Sequence, residues 1–324
     1  MPLRTAVIGV GHLGRQHARI HSQLALEGLT DFVSVCDLSE TTAREIGNER
    51  SVAWTSNWRD LPGRIDAVSL AVPTESHCEL ACGLLAAGVH VLVEKPISRT
   101  LAEADQMIAA AEAGGALLQV GHLERFNPAL IALRPHVRQP VYFEIHRVGE
   151  FSARSLDIDV VLDLMIHDLD IVQWLVGENV AVTELHAVGI PILTGKVDAA
   201  NVRLEFASGA VANITASRVG TEKIRKMRFF QPHDYVAVDY ATRRASISSL
   251  TPAAASGAWP GVNHRQLEVP DVEPLRAEIL SFIEAARDKL PSPVSGNDGR
   301  NALALALRAL ERIQEHAVRS GIGV

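Results

Sequence analysis

The chain is short of cysteine, of like-charge runs and of long unbroken apolar stretches, and each shortage excludes a class of protein. Only Cys36, Cys78 and Cys82 occur. An odd, scattered set builds no disulfide framework and suits a reducing compartment. Cys78 and Cys82 stand four apart with His77 beside them, but no third and fourth ligand follows nearby. Small apolar core residues are expected there, and no metal. The formal net charge of -7 is spread without a block of one sign. Nucleic-acid binding needs a basic patch, so this acidity reads as a solubility charge. The most apolar long stretch, Val160 to Val176, carries Asp163, His167, Asp168 and Asp170. A membrane span tolerates such groups only at high cost. Met1-Pro2-Leu3-Arg4 runs straight into a strand pattern, with no signal segment, internal repeat or low-complexity tract. A soluble cytoplasmic protein is expected, with neither nucleic acid nor membrane as partner.

What is present is an ordinary globular composition, 47% hydrophobic and 21% charged over 324 residues, long enough for two domains. The first 120 residues alternate apolar runs with helical patterns. Strands are expected near 3–9, 32–37, 67–72, 90–93 and 116–121, with helices near 12–26, 40–46, 76–87 and 101–113. The runs are apolar throughout, as parallel strands covered on both faces require. This predicts an α/β fold: an N-terminal Rossmann doubly wound parallel sheet over residues 1–121. After Gly121 the texture changes. A short helix (127–136, Pro128 in its first turn), a strand (141–148) and a buried helix (160–176) ended by Gly177 lead into strand-like stretches over 201–206, 210–217, 227–230 and 235–239. Ser208-Gly209 reads as a hairpin turn. Residues 251–261, rich in Ala, Pro and Gly, read as a mobile surface loop, and helices near 273–289 and 299–319 close the chain. Residues 122–324 are therefore expected as a C-terminal α+β domain with an open, mainly antiparallel sheet. Its uncovered face calls for a partner subunit.

The chemistry-bearing residues cluster at strand ends. Gly9-x-Gly11-x-x-Gly14 follows a strand and opens the helix from His12 and Leu13, the context in which glycines let backbone amides approach a pyrophosphate. Asp37 ends the second strand, where a carboxylate accepts the ribose hydroxyls of NAD and repels a 2′-phosphate. NAD is the expected cofactor; the structural alternative is that Asp37 merely caps the next helix. Ala71-Val72-Pro73-Thr74 ends the next strand at the same crevice edge, and His77 follows as either a site or a packing residue. Lys95, in Glu94-Lys95-Pro96, stands at the carboxyl end of a parallel strand, held extended by Pro96. There it can hydrogen-bond a substrate hydroxyl, or simply pair with Glu94 on the surface. Asp163 and His167 lie four apart in the buried helix, and with Asp170 and Trp174 they form one stripe. Ionisable groups on such a helix must be paired, hydrated or lining a cavity. Histidine is the natural proton acceptor near neutral pH.

On Gly9-x-Gly11-x-x-Gly14, Ala71-Val72-Pro73-Thr74, Glu94-Lys95-Pro96 and Asp163-x-x-x-His167, the chain resembles the glucose–fructose oxidoreductase/inositol dehydrogenase/rhizopine-catabolism (Gfo/Idh/MocA) family over nearly its whole length. The resemblance implies an NAD-dependent dehydrogenase acting on CH-OH groups, with Lys95, Asp163 and His167 as the catalytic set and homodimers or homotetramers formed through the second sheet. It extends the cofactor set to Gly9, Gly11, His12, Leu13, Gly14, Asp37, Ala71, Val72, Pro73, Thr74, His77, Glu94, Lys95 and Arg125. One departure stands out. Where many members carry a glycine-rich turn, this chain has Asp157-Ile158-Asp159-Val160. With Gly121-His122-Leu123-Glu124-Arg125-Phe126-Asn127-Pro128, that is more similar to the sugar-nucleotide 3-dehydrogenases that act on UDP-N-acetylglucosamine or its uronic acid. The basic segment Lys223-Ile224-Arg225-Lys226-Met227-Arg228 then has two readings: a seat for a diphosphate or carboxylate, or the solvated face of an edge strand. Three rival functions stand beside the sugar-nucleotide one: an inositol or polyol dehydrogenase, a non-catalytic NAD-sensing regulator, and an NADP-dependent dehydrogenase, which Asp37 disfavours.

Overall fold

The computed structural model describes residues 2–150, 158–177, 179–251 and 260–321. Most of the loop expected over 251–261, and Asp157, lie outside the described residues. The chain divides into two compact units, Met1–Leu123 with Glu273–Leu303, and Glu124–Val272 with Ala304–Val324.

The first unit runs β1 (Arg4–Ile8), α1 (His12–Leu26), β2 (Asp31–Cys36), α2 (Glu40–Arg50), β3 (Ala53–Thr55), β4 (Ala67–Leu70), α3 (His77–Ala86), β5 (His90–Glu94), α4 (Leu101–Gly114) and β6 (Leu118–Gly121). The six strands are all parallel, in the order β3-β2-β1-β4-β5-β6. The central strands are apolar because both faces are covered: Ala6, Val7, Val68, Leu70, Val91 and Val93 are fully buried. At about 2 kcal/mol for each large side chain removed from water, such positions dominate the sheet's stability. Side-chain caps fix where helices begin: Ser39 accepts from the Thr42 amide and Thr100 from the Glu103 amide. Strand order reverses between β1 and β4, so a crevice opens beyond their carboxyl ends. The extra strand β3 has three residues, too few for a period to show in sequence.

The second unit contains α5 (Pro128–Leu133), β7 (Tyr142–Glu150), α6 (Ile166–Val176), β8 (Val182–Ile190), β9 (Ala199–Phe206), β10 (Val211–Gly220), β11 (Ile224–Gln231), β12 (Asp234–Asp239), β13 (Arg244–Thr251) and β14 (Gly261–Gln266). The eight strands form one sheet, ordered β14-β13-β12-β11-β7-β10-β9-β8, in which only β7 and β10 run parallel. Strict alternation gives it two faces. Phe143, Ile145, Ile214, Met227, Phe229 and Val236 are buried on one, while His146, Lys226 and Arg228 on the other are exposed. The basic segment is therefore not on an edge strand as one of its readings supposed. β11 lies between β12 and β7, and the edges are β14 and β8.

Two further features differ from expectation. Of the closing helices α7 (Pro274–Asp288) and α8 (Gly296–Ser320), α7 and the start of α8 belong to the first unit. The reason is the apolar stripe of α7: Leu275, Ile279, Phe282 and Ile283 pack against Ile20, Leu24, Ala67 and Leu92 of the Rossmann sheet and its first helix. The helix expected from 160 to 176 opens with a π-helical turn, Val161–Met165, before α6 begins. Such wide turns interrupt plain α spacing and recur at functional sites. Among the described residues, no helix is long and apolar enough to cross a membrane.

Candidate active site

The glycine loop is built by close approach. At Gly9 φ is +80°, and an added Cβ would lie 2.5 Å from the Ala71 carbonyl oxygen; at Gly14 it would lie 1.7 Å from the Gly9 oxygen. Any side chain there would push α1 off the strand ends. Gly11 faces open space, which leaves its amide approachable at the amino end of α1. Asp37 is oriented by two backbone donors: the Val10 amide donates to Oδ2 at 2.9 Å and the Ser39 amide to Oδ1 at 2.9 Å. The cap reading is thus partly right, since Asp37 supports the turn into α2, but Ser39 is the residue that caps the helix. Each Asp37 oxygen keeps a lone pair for a sugar hydroxyl.

Gly9, Gly11, Asp37, Ala71, Val72 and Pro73 line one cavity of about 440 Å³. Trp58 and Arg59, in a single 3-10 turn (Trp58–Asp60), and Asn57, which caps it, line it too, in a segment too short to give a signal in sequence. His12 and Leu13 begin α1, and Thr74 begins a single 3-10 turn. His77 joins two loops of the crevice: Nε2 lies 3.0 Å from the Val72 oxygen and Nδ1 lies 3.0 Å from the Pro96 oxygen. Burial lowers its pKa against the pull of these carbonyls. It is more than a packing residue, because it fixes the Ala71–Thr74 turn to the loop after Lys95.

Lys95 leaves β5 through a cis Lys95-Pro96 bond. The neighbouring Glu94 turns inward. His17 Nε2 lies 2.9 Å from Glu94 Oε1, and the Lys95 amide donates to Oε2 at 3.3 Å. Burial is the largest influence and pushes the Glu94 carboxyl up, but the His17 contact, the Lys95 charge and the Lys95 amide together bring the net shift down. Glu94 is therefore a buried support of the Lys95 backbone, not half of a surface ion pair.

Beneath it, Glu278 of α7 is wholly buried, and neither carboxylate oxygen has a hydrogen-bond partner among the described residues. Burial first, and then the Glu94 charge, hold its pKa well above the ordinary range. The folded protein therefore keeps a proton that the unfolded chain has released above the usual glutamate pKa. Stability at Glu278 is lost as pH rises from there towards the folded value. Glu278→Gln is expected to raise stability at pH 8 by about 1–3 kcal/mol, with the gain shrinking towards pH 4. Urea midpoints at the two pH values check this, and a pH-independent difference would refute it.

In the second unit, the π turn and α6 present Asp163 and His167 half-buried, between Val161, Met165, Ile166 and Asp168, which are buried. Arg125 donates to both Asp170 oxygens, at 2.9 and 2.7 Å, and its guanidinium stacks 5.5 Å from the Trp174 ring centroid. Sequence reasoning missed the larger cluster beside it. Arg147 of β7 donates to both oxygens of Asp168 (2.7 and 2.8 Å) and to Glu124 (2.8 Å), and lies 5.3 Å from the Tyr240 ring centroid. Burial would strip the proton from Arg147, but Asp168 and Glu124 reverse this and raise its pKa. Burial also lifts Asp168, yet the two-pronged geometry fits its ionised form. Cys78 and Cys82 are half-buried rather than core, their sulfurs 4.0 Å apart. Among the described residues, no group of three or more His, Cys, Asp or Glu could hold a metal.

This is the fold and loop chemistry of a nicotinamide-dinucleotide oxidoreductase. Residues 3–122 match the family described as "Oxidoreductase family, NAD-binding Rossmann fold", and residues 129–230 match the GFO/IDH/MocA C-terminal domain. The chain belongs to the Gfo/Idh/MocA family of NAD-binding oxidoreductases. It is 36% identical over 307 residues to UDP-N-acetylglucosamine 3-dehydrogenase of Acidithiobacillus ferrooxidans, covering 94% of this chain and 96% of that one. A solved structure of that relative matches with a TM-score of 0.89 at 35% identity, over 97% of this chain and 99% of the other. Inositol 2-dehydrogenase of Rhizobium meliloti is 29% identical over 331 residues, covering 97% and 98% of the two chains.

Proposed function

We propose that the chain is an NAD-dependent dehydrogenase acting on a secondary alcohol of a sugar nucleotide, at C3 of a UDP-N-acetylhexosamine-like substrate. The likeness at 36% identity to a UDP-N-acetylglucosamine 3-dehydrogenase carries this reading, because it runs through both units. The glycine loop, the anchored Asp37 and the cavity beside them fit a dinucleotide with free ribose hydroxyls. When bound, the nicotinamide supplies the hydride acceptor or donor. In the oxidation direction His167 takes the hydroxyl proton, Lys95 hydrogen-bonds the oxygen and offsets its developing charge, and Asp163 holds His167 or the sugar in position. The carbinol loses a proton and a hydride and becomes a ketone. Arg125 holds the α6 helix through Asp170 and stays in the proposed cofactor-binding set.

The working form is proposed to be a cytoplasmic homo-oligomer. Its three cysteines are free thiols. The outward face of the second sheet carries the ring series Tyr142, Phe230 and Tyr235, with centroid spacings of 5.9 and 5.2 Å, beside a groove of about 560 Å³. Such a face fits a second copy of the same sheet. The substrate is tested by NADH formation with UDP-N-acetylglucosamine, its uronic acid and a set of inositols. Turnover of a UDP-sugar is expected. Turnover of inositols alone would make the protein a polyol dehydrogenase, and NAD binding without turnover of any of them would favour a regulator.

A further inference from the structure

The basic segment is divided by the strand that carries it. Along β11, Lys226 and Arg228 point outward, where Lys226 Nζ lies 3.8 Å from Asp239 and Arg228 pairs with Glu144. Arg225 is on the opposite face, directly across the ladder from Arg147. Like charges placed opposite one another weaken a sheet, so the pair calls for a reason. Arg147 has one, since Asp168 and Glu124 take its donors. Arg225 is half-buried, and among the described residues its side chain forms no ion pair or hydrogen bond. Burial and the repulsion of Arg147 lower its pKa, while Glu124, Asp168 and Asp163 pull it up. A partly desolvated guanidinium with five unspent donors, in the field of Asp163, is arranged to receive an anionic oxygen.

Resting on the sugar-nucleotide reading above, we propose that Arg225 is a specificity residue: it binds the anionic group nearest the reacting pyranose, a phosphoryl or carboxylate oxygen, while Asp163 and His167 attend to the hydroxyl. Bound there, the anion would satisfy the lone guanidinium and separate it electrostatically from Arg147. A neutral polyol would leave its donors unpaired, so discrimination comes from a buried unsatisfied cation as much as from attraction.

The test compares wild type, Arg225→Met and Arg225→Lys, each NAD-loaded, in turnover and in calorimetric binding of UDP. Arg225→Met is expected to raise KM for UDP-N-acetylglucosamine, and weaken UDP binding, by about tenfold to a hundredfold, with kcat little changed. Arg225→Lys should recover part of the loss. KM for uncharged N-acetylglucosamine should not move. Equal losses on UDP-N-acetylglucosamine and on its uronic acid point to the diphosphate, and a loss confined to the uronic acid points to the carboxylate. If charged and neutral sugars lose equally, or the melting temperature falls with no selective KM effect, Arg225 only balances the buried carboxylates and the inference is overturned. A wild type that turns over no UDP-sugar sinks the functional reading instead, whatever the variants do.

Discussion

Lys95→Ala and His167→Asn are each expected to lower kcat by about a thousandfold while leaving the NAD dissociation constant nearly unchanged. The two effects separate because the groups that fit the dinucleotide are others. The Gly9–Gly14 loop, Asp37 and the Ala71–Thr74 turn are fixed by backbone bonds, such as Val10 to Asp37 and His77 to Val72, that neither substitution touches. Lys95 contributes an ammonium group at the end of β5, on a backbone tied down by Glu94 and His17. Its loss leaves developing oxyanion charge without a cation. Loss of His167 leaves the hydroxyl proton without an acceptor. The proposed mechanism has both side chains act on one oxygen, so on that reading the double variant should be scarcely slower than the worse single one. Initial rates from NADH absorbance, with fluorescence titration of cofactor, give both numbers. Wild-type-like turnover in either variant would remove that residue from the reaction. A collapse of NAD binding in Lys95→Ala would make it a cofactor residue first.

The parallel sheet was legible because burial on both faces writes unbroken apolar strands, and because Gly9 and Gly14 occupy positions where no other residue fits. Its helix limits were legible at α1, where the expected 12–26 matches His12–Leu26. Less could be read where stability is assembled from distant parts. Nothing local marks α7 as a Rossmann helix, since its stripe fits any apolar surface. Histidines were the hardest to sort. His17 and His21 also lie on a helix among apolar residues, but His21 bonds Thr5 and Ser69, and burial drops its pKa to about 3. His17 supports Glu94. The Asp163-x-x-x-His167 spacing marked its segment in the sequence, whereas the π turn at Val161–Met165 that opens it has no sequence signature. The basic segment was ambiguous for a simpler reason. Alternation along a strand sends neighbouring charges to opposite faces, so one run of arginine and lysine holds two roles.

Removing Arg147 should be the most damaging single change in the second unit. Arg147→Met would leave Asp168 and Glu124 as buried carboxylates whose shared cation is gone. Asp168 is fully buried, and among the described residues Glu124 keeps the Asn127 amide, at 3.2 Å, as its neutral donor. Breaking a buried pair in this way costs about 3–5 kcal/mol, and the site here loses one cation serving two anions. Asp168→Asn should cost less, because Glu124 still answers Arg147 and the amide keeps one hydrogen bond. Arg228→Ala, on the exposed face of the same sheet, removes a pairing with Glu144 whose arginine is half exposed, and is expected to cost no more than about 1 kcal/mol. For a unit of this size the first change corresponds to a fall in melting temperature of about 10 °C, and the last to no more than a few degrees. Thermal unfolding followed by calorimetry ranks the three. If Arg147→Met melts with the wild type, the Arg147–Asp168–Glu124 cluster does not hold the unit together. If it melts early but binds NAD normally at low temperature, the damage lies in the second unit, where the cluster sits beside the helix bearing His167.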